Sequence, residues 1–184
     1  MCGLVGKIAI QSEKSVDIGA VLRMNACLEH RGPDGFGKWA SPDGRIAIAH
    51  RRLAIVDLTE SASQPMSDSS GRYHLVFNGE IYNHMELRED LRRLGQNFST
   101  DHSDTETLLV ALKEWGLQAA LKRLEGDFAF ALWDEDANVL SLARDRAGVK
   151  PLYFHLGENE FSFASEMKAL LADSKIERAL SEAA

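Results

Sequence analysis

The chain has 184 residues, a formal net charge of -7, 45% hydrophobic residues and 27% charged residues, which are ordinary values for one soluble globular domain. It has no basic block, which argues against nucleic-acid binding. Its longest apolar run, FAFALW at 128–133, is too short to cross a membrane. The first residues also lack a signal-peptide pattern, so we expect a cytoplasmic protein.

The first part of the chain predicts strands around one helix. GLVGKIAI at 3–10 is short, apolar and β-branched, which indicates a buried strand. A helix is predicted over about 16–29, and it stops at HRGPDG because Gly and Pro end a helix. Paired strands are predicted over 36–39 and 45–57, and YHLVFN at 73–78 predicts another strand after a polar loop.

The middle of the chain predicts two helices, each with a capping box. Asn83 with Glu86, and Ser103 with Glu106, have the spacing in which a cap side chain and a following glutamate satisfy free backbone N–H groups. The second helix is expected to end at Gly116, with a shorter helix directly after it.

The last part predicts two hairpins and a final helix. GDFAFALWD at 126–134 pairs with VLSLARD at 139–145, and PLYFHL at 151–156 pairs with EFSFAS at 160–165, before the helix MKALLAD. FAFALW is apolar at every position, which is typical of a strand that is buried on both faces. Strands, then helices, then strands indicate an α+β fold in which sheets lie between helix layers.

Cys2 has a specific chemical meaning if Met1 is removed, because one residue then carries both a thiol and a free α-amine. An α-amine has a pKa of about 7.7–8.0 and a thiol one of about 8.5, so the amine can accept the proton of the thiol. This is the chemistry of an N-terminal nucleophile. The alternative is a buried, inert cysteine at the start of a strand. Cys27 is the only other cysteine, so no disulfide framework is expected.

Four other residues are candidates for binding or catalysis. The Asn78 side chain and the Gly79 N–H offer two donors for an oxyanion, although Asn-Gly is also a common turn dipeptide. Arg52 suits a substrate carboxylate, or is an ordinary surface arginine. Asp104 begins a predicted helix, where the helix dipole favours it without any substrate, and it equally suits a substrate ammonium group.

Eight motifs in chain order together resemble one family. They are MCGLVG, HRGPDG, RRLAIVD, NGEIYN, SDTE, EGDFAFALWD, ARDRAGVKPLY and FASEMKAL. In this order they resemble the glutaminase domain of glutamine-dependent asparagine synthetases, which is a class II glutamine amidotransferase domain. The resemblance covers residues 1–184 and implies a four-layer αββα sandwich of the N-terminal nucleophile hydrolase type.

The resemblance implies a reaction for this domain. Cys2 would attack the side-chain amide of glutamine, form a γ-glutamyl thioester and release ammonia, and water would then release glutamate. Asn78 and Gly79 would form the oxyanion hole, and Arg31 would support Cys2.

The resemblance also implies how glutamine would be held. Arg52 would bind its α-carboxylate and Asp104 its α-ammonium. The full set of substrate-binding residues would be Arg52, Leu53, Ile55, Val56, Asn78, Gly79, Glu80 and Asp104.

Two phosphate-binding motifs are absent from the sequence: the Ser-Gly-Gly-x-Asp-Ser loop of the family's synthetase domain and the G-x-x-x-x-G-K-[ST] loop. We therefore expect no cofactor for this domain, with ATP and Mg²⁺ needed only in a C-terminal synthetase domain that this chain lacks and that would use the ammonia. Two other functions stay open: a related amidotransferase that modifies a cell-surface sugar or a natural product, and a non-catalytic glutamine-binding or scaffold domain. Assembly as a homodimer also stays open.

Overall fold

A computed structural model describes residues 1–11 and 14–178, which form two antiparallel sheets and four α-helices. The strands are β1 Gly3–Ala9, β2 Gly35–Ala40, β3 Ile46–Arg52, β4 Met66–Ser67, β5 Tyr73–Ile81, β6 Gly126–Asp134, β7 Val139–Arg144, β8 Tyr153–Leu156 and β9 Glu160–Ala164. The helices are α1 Ile18–Ala26, α2 His84–Arg93, α3 Asp104–Arg123 and α4 Met167–Leu170. None of the described helices is long and apolar enough to cross a membrane.

The first sheet has the strand order β2-β3-β1-β9-β8, and helices α1 and α4 pack on its outer face. Strand β1 lies in the middle, where it pairs with β3 and with β9. Val5 and Ala9 of β1 meet Val21 and Met24 of α1 in the outer core. This pairing on both edges holds the first residues of the chain inside the fold.

The second sheet has the order β4-β5-β6-β7, and α2 and α3 cover its outer face. Leu75 and Phe77 of β5 pack there against Leu108 and Leu112 of α3. Strand β4 pairs only with the beginning of β5, so the rest of that edge of β5 has no neighbouring strand among the described residues.

A third core lies between the two sheets. It contains Leu4, Ile48, Val76 and Trp133, which come from β1, β3, β5 and β6. The prediction of a four-layer αββα sandwich is thereby confirmed. FAFALW is buried along its whole length, since alternate residues of β6 face the inter-sheet core and the core under α2 and α3.

The boundaries of several elements differ from the prediction, and the largest differences are at α1 and β3. Helix α1 is shorter than 16–29, and a separate 3₁₀ turn covers Glu29–Arg31. Strand β3 ends at Arg52 instead of continuing to 57. The segment after Arg52 turns back toward it, and the Arg52 guanidinium donates to the carbonyl oxygens of Asp57 and Thr59, five and seven residues further along the chain.

The predicted capping box at α3 is half correct. The Glu106 N–H donates to Ser103 Oγ at 3.3 Å, as an N-cap requires. The Glu106 carboxylate, however, accepts from the N–H groups of Ser99 (2.6 Å) and Thr100 (2.8 Å). It therefore orders the segment before the helix.

The predicted capping box at Asn83 and Glu86 is wrong. Asn83 makes no cap hydrogen bond, because its amide donates to the Arg123 carbonyl at 2.9 Å and accepts from the Glu125 N–H at 3.1 Å. The predicted break at Gly116 is confirmed, since this residue has φ 74 inside α3. The last helix is shorter than MKALLAD, and the polar end that follows lies partly outside the described residues, at 179–184.

Candidate active site

One pocket of about 110 Å³ collects the residues that the sequence singled out. Its predicted members are Cys2, Arg52, Leu53, Ile55, Val56, Asn78, Gly79, Glu80 and Asp104. Its wall also contains residues outside the predicted substrate-binding set: Met1, Ala54, Asp57, Ala62, Gln64, Phe77, Ser103, Thr105 and Lys150. The pocket brings together segments that lie far apart in the chain.

The alternation of side chains along the strands explains part of this convergence. Alternate residues of a strand point to the same face. Cys2, Arg52 and Asn78 each stand an even number of positions from a residue of the inter-sheet core on the same segment, namely Leu4, Ile48 and Val76. Their side chains therefore point into the layer between the sheets.

The Cys2 thiol lies against the backbone of Leu53. Its Sγ accepts from the Leu53 N–H at 3.4 Å and approaches the Leu53 carbonyl oxygen at 3.6 Å. Burial raises the pKa of the Cys2 thiol above its usual value, while the Leu53 N–H and the Arg52 charge act in the opposite direction. A buried thiol of this kind is protonated at neutral pH and needs a base before it can act as a nucleophile.

Arg31 lies beside Cys2 and fixes its backbone. Its Nε donates to the Cys2 carbonyl oxygen at 2.8 Å, and its Nη1 donates to Glu166 Oε1 at 2.8 Å. Ser165 secures the next residues, because its Oγ accepts from the Leu4 N–H at 3.0 Å and its own N–H donates to the Leu4 carbonyl oxygen at 2.9 Å. The start of the chain is therefore held by side chains as well as by strand pairing.

The free edge of β5 presents backbone N–H groups to the pocket. The Phe77 N–H donates to Gln64 Oε1 at 2.6 Å, and the Ile81 N–H donates to Asp104 Oδ2 at 3.2 Å. Gly79 lies midway between these two residues, so its N–H points out from the same edge. No described residue accepts a hydrogen bond from it.

The neighbouring strand explains why residue 79 is a glycine. Gly79 lies opposite Phe128 of β6, whose N–H and carbonyl both bond to Asp145 and so point away from β5. A Cβ at Gly79 would lie 2.7 Å from Phe128 Cα and closer still to the Asp127 carbonyl oxygen. Gly79 is thus part of a strand, and the reading of Asn-Gly as a turn is wrong.

Asn78 supplies a second free donor. Its side chain is only 1% exposed, and its Nδ2 has no hydrogen-bond partner among the described residues. A buried amide without a partner costs about 1–3 kcal/mol, so such groups are uncommon unless a ligand or water satisfies them. Asn78 Nδ2 and the Gly79 N–H are therefore two adjacent donors available to a ligand in this pocket.

Arg52 and Asp104 give the pocket opposite charges. Arg52 donates to backbone carbonyls, one of them the Thr59 oxygen at 2.9 Å. Asp104 is 5% exposed and forms no ion pair with a described residue. Burial raises the pKa of Asp104 to about 6, a rise to which the Glu80 charge adds and which the N–H groups of Ile81 and Thr105 oppose. A cationic ligand group at this place would favour the charged carboxylate and lower the pKa of Asp104 again.

The chain matches the family model of the glutamine amidotransferase domain over residues 1–184. It belongs to this family. It is 39% identical over 178 residues to asparagine synthetase [glutamine-hydrolyzing] 3 of Bacillus subtilis, which covers 96% of the chain and 28% of the relative. It is 38% identical over 149 residues to the amidase chry2 of Gibberella zeae, which covers 79% of the chain and 21% of the relative. The chain thus spans less than a third of these curated relatives.

Solved structures agree with the fold of this amidotransferase domain. Glutamine phosphoribosylpyrophosphate amidotransferase of Bacillus subtilis superposes with a TM-score of 0.77 at 24% sequence identity. The match covers 93% of this chain and 43% of that one. A likeness at this identity shows the fold alone, and it agrees with the four-layer αββα sandwich.

Metal ligands do not gather in the described part of the amidotransferase domain. No group of three or more His, Cys, Asp or Glu side chains lies close enough there to hold a metal ion. The two cysteines, Cys2 and Cys27, are both free thiols.

Proposed function

We propose that this domain hydrolyses glutamine to glutamate and ammonia through a γ-glutamyl thioester on Cys2. The observation that carries the proposal is the pocket itself, in which one thiol, two free donors and two opposite charges lie together. A free α-amino acid has a carboxylate and an ammonium group that would match Arg52 and Asp104. The side-chain amide of glutamine would then extend toward Cys2.

The reaction begins with activation of the thiol. After removal of Met1, the Cys2 α-amine accepts the thiol proton, because its pKa of about 7.7–8.0 leaves part of it neutral near pH 7. The thiolate attacks the amide carbon of glutamine. Asn78 Nδ2 and the Gly79 N–H donate to the negative oxygen that develops in this step, and the amine returns the proton to the leaving nitrogen, which departs as ammonia.

The second half of the reaction regenerates Cys2. The α-amine takes a proton from water, whose oxygen attacks the thioester carbon. The same two donors stabilise the oxyanion, and the C–S bond breaks as the thiol recovers its proton and glutamate is released. A thiol, its own amine and two donors are sufficient for both steps, so we propose that this domain needs no cofactor.

The use of the ammonia is a separate proposal. Relatives named as glutamine-hydrolysing asparagine synthetases favour aspartate as the acceptor, in a C-terminal synthetase domain that would require ATP and Mg²⁺. The amidase relative of Gibberella zeae favours a second candidate, an amidotransferase with another acceptor. The residues encoded after Ala184 would distinguish these two candidates. We place the protein in the cytoplasm, where free cysteines stay reduced, and assembly as a homodimer stays a prediction.

The proposed reaction is tested by measuring glutamate and ammonia released from glutamine, together with the intact mass of the protein. We expect equal amounts of both products, loss of Met1, and no measurable activity in Cys2→Ala. Asn78→Ala should lower kcat by about 10²–10³ with little change in KM, as loss of one oxyanion donor does elsewhere. Retention of Met1 in active protein, or full activity in Cys2→Ala, would falsify the mechanism. Binding of glutamine without turnover would support a non-catalytic binding domain.

A further inference from the structure

The free edge of β5 carries three successive outward N–H groups beside the pocket. Gln64 Oε1 accepts from the Phe77 N–H and Asp104 Oδ2 accepts from the Ile81 N–H, which are the two outer groups. The middle group, the Gly79 N–H, has no acceptor among the residues that the structure describes. We infer that Gln64 is a positioning residue, which holds β5 so that the two proposed oxyanion donors converge on the substrate. This inference rests on the proposed glutaminase reaction.

Gln64 is placed to act in this way. Its side chain is buried, its Oε1 accepts from the Phe77 N–H at 2.6 Å, and its Nε2 faces Thr105 Oγ1 at 3.5 Å. A backbone N–H can only donate, so the amide oxygen must face β5 and the amide nitrogen must face α3. The carboxamide therefore links the strand that carries the donors to the helix that carries Asp104.

Phe77 pairs with β6 on one edge of β5 and depends on side chains on the other edge, where no strand in the described part of the chain lies beside it. Its carbonyl oxygen accepts from His50 Nε2 at 2.9 Å, and its N–H is satisfied by Gln64. Strand β4 pairs only with the beginning of β5, so both polar groups of Phe77 on this edge are held by these two side chains. Since Asn78 follows directly, a shift of Phe77 would move the donor amide as well.

The backbone of Gln64 is itself fixed by close packing on β2. A Cβ at Gly37 would lie 2.9 Å from the Gln64 carbonyl carbon and 3.2 Å from Pro65 Cδ, and closer still to the Gln64 oxygen. Only a glycine at position 37 allows this approach. Packing against β2 therefore sets the position of the Gln64 backbone. From this position the side chain is long enough for its Oε1 to accept from the Phe77 N–H.

Steady-state glutaminase kinetics test the inference with three substitutions. Gln64→Met removes the acceptor at nearly constant size, and Gln64→Asn shortens the side chain so that its oxygen no longer reaches Phe77. Both should lower kcat at least about tenfold, with glutamine KM changing less than about threefold, because misaligned donors weaken only transition-state stabilisation. Gln64→Glu keeps an acceptor oxygen at the same place but adds a carboxylate to the pocket wall and loses the amide donor, so its kcat should fall below wild type but less than that of Gln64→Met.

A matched control separates this effect from a general loss of packing. Gln96 is a glutamine whose Nε2 donates to Glu114 Oε2 at 2.7 Å near the surface, away from the pocket. Gln96→Met should retain the kcat of the wild type. Thermal unfolding of every variant shows whether the fold is kept, and if Gln64→Met does not fold, the comparison of Gln64→Asn with Gln64→Glu decides.

A double-mutant cycle on kcat distinguishes a positioning role of Gln64 from a purely structural one. In the Asn78→Ala background, Gln64→Met should lower kcat by a smaller factor than it does in the wild-type background, because one of the two donors that Gln64 aligns is already lost. The inference would be overturned if kcat of the double variant fell by the product of the two single-variant factors. It would also be overturned by a wild-type kcat in Gln64→Met, or by equal losses of kcat in Gln64→Glu and Gln64→Met. If the wild-type chain does not hydrolyse glutamine, the proposed function fails first, and this inference fails with it.

Discussion

The Arg31 guanidinium donates from Nε to the carbonyl oxygen of Cys2 over 2.8 Å. The same side chain is nearly buried and donates from Nη1 to Glu166 Oε1, so one planar group joins the first residues of the chain to the start of α4. Burial alone would raise the pKa of Glu166, but hydrogen bonds from Arg31, Lys168 and His30 hold it at about 2. The backbone of Cys2 is therefore tied to an ionised carboxylate at neutral pH.

We expect Arg31→Lys to lower kcat for glutamine at least about tenfold, while KM changes little. A lysine keeps the charge, but it has one nitrogen in place of the two that Arg31 uses, Nε toward Cys2 and Nη1 toward Glu166, and it lacks the planar fork that places them. Glutaminase kinetics and thermal unfolding of the same samples measure both effects. An unchanged kcat in a folded Arg31→Lys protein would show that Cys2 does not need this support.

Asp104→Asn should separate substrate binding from stability. Glutamine KM should rise at least about 30-fold, because a charge-assisted hydrogen bond to the substrate ammonium is lost. Such a bond contributes about 2 kcal/mol or more to the binding free energy. At pH 8 the variant should also be more stable than the wild type. The rise of the Asp104 pKa from 3.8 to about 6 means that its ionisation costs the folded chain up to about 3 kcal/mol.

The direction of this stability effect depends on pH. Folded Asp104 holds its proton more tightly than the unfolded chain does, so its ionisation destabilises the fold as pH rises through about 6. The gain in Asp104→Asn should therefore be present at pH 8 and absent at pH 3.5, as thermal unfolding at both values would reveal. An unchanged KM together with lower stability would support the role of Asp104 as a helix-start residue only.

The glutamine KM of the wild type should itself depend on pH. Only the charged Asp104 carboxylate pairs with an ammonium group, so KM should rise up to about tenfold per pH unit below about 6. Initial rates across pH 4.5–8 measure this, with Asp104→Asn as the control in which the rise should disappear. A rise of equal size in that variant would assign the titration to another group.

Local patterns in the sequence were enough for much of the fold. FAFALW predicted a strand buried on both faces because it is apolar at every position, and Gly116 predicted a helix break because glycine adopts positive φ readily. The same local reasoning failed at Asn83. Its amide bonds to Arg123 and Glu125, which are about forty residues away in the chain, and no local pattern contains that contact.

The candidate site shows the same limit. The resemblance indicated Cys2 and Asn78 by their motifs, but the free edge of β5 became visible only with the strand pairing. Gln64 precedes a proline in a polar loop, which predicts a turn and no contact with Phe77. Glu166 likewise carried no local signal, since its partner Arg31 lies far away in the sequence.

Gly79→Ala should reduce both stability and activity. The new Cβ would meet the backbone of β6 at Phe128 and Asp127, which cannot move like the end of a side chain, so we expect a loss of about 2 kcal/mol or more. Gly35→Ala is the matched control for stability, because its Cβ would lie 3.4 Å from Arg52 Cβ, an ordinary contact. Chemical denaturation measures the free energy of unfolding of both variants. Equal stabilities would mean that β5 and β6 are less closely packed than described.

The most direct test of the central claim is to find which thiol reacts with a glutamine analogue. The chain has only two cysteines, so incubation with the diazoketone analogue of glutamine, followed by peptide mass spectrometry, gives a choice between Cys2 and Cys27. We predict that Cys2, freed of Met1, carries the label, that excess glutamine prevents labelling, and that Cys27→Ala is labelled and active like the wild type. Labelling of Cys27 instead, or an unlabelled Cys2 in protein that hydrolyses glutamine, would contradict the assignment of Cys2 as the nucleophile.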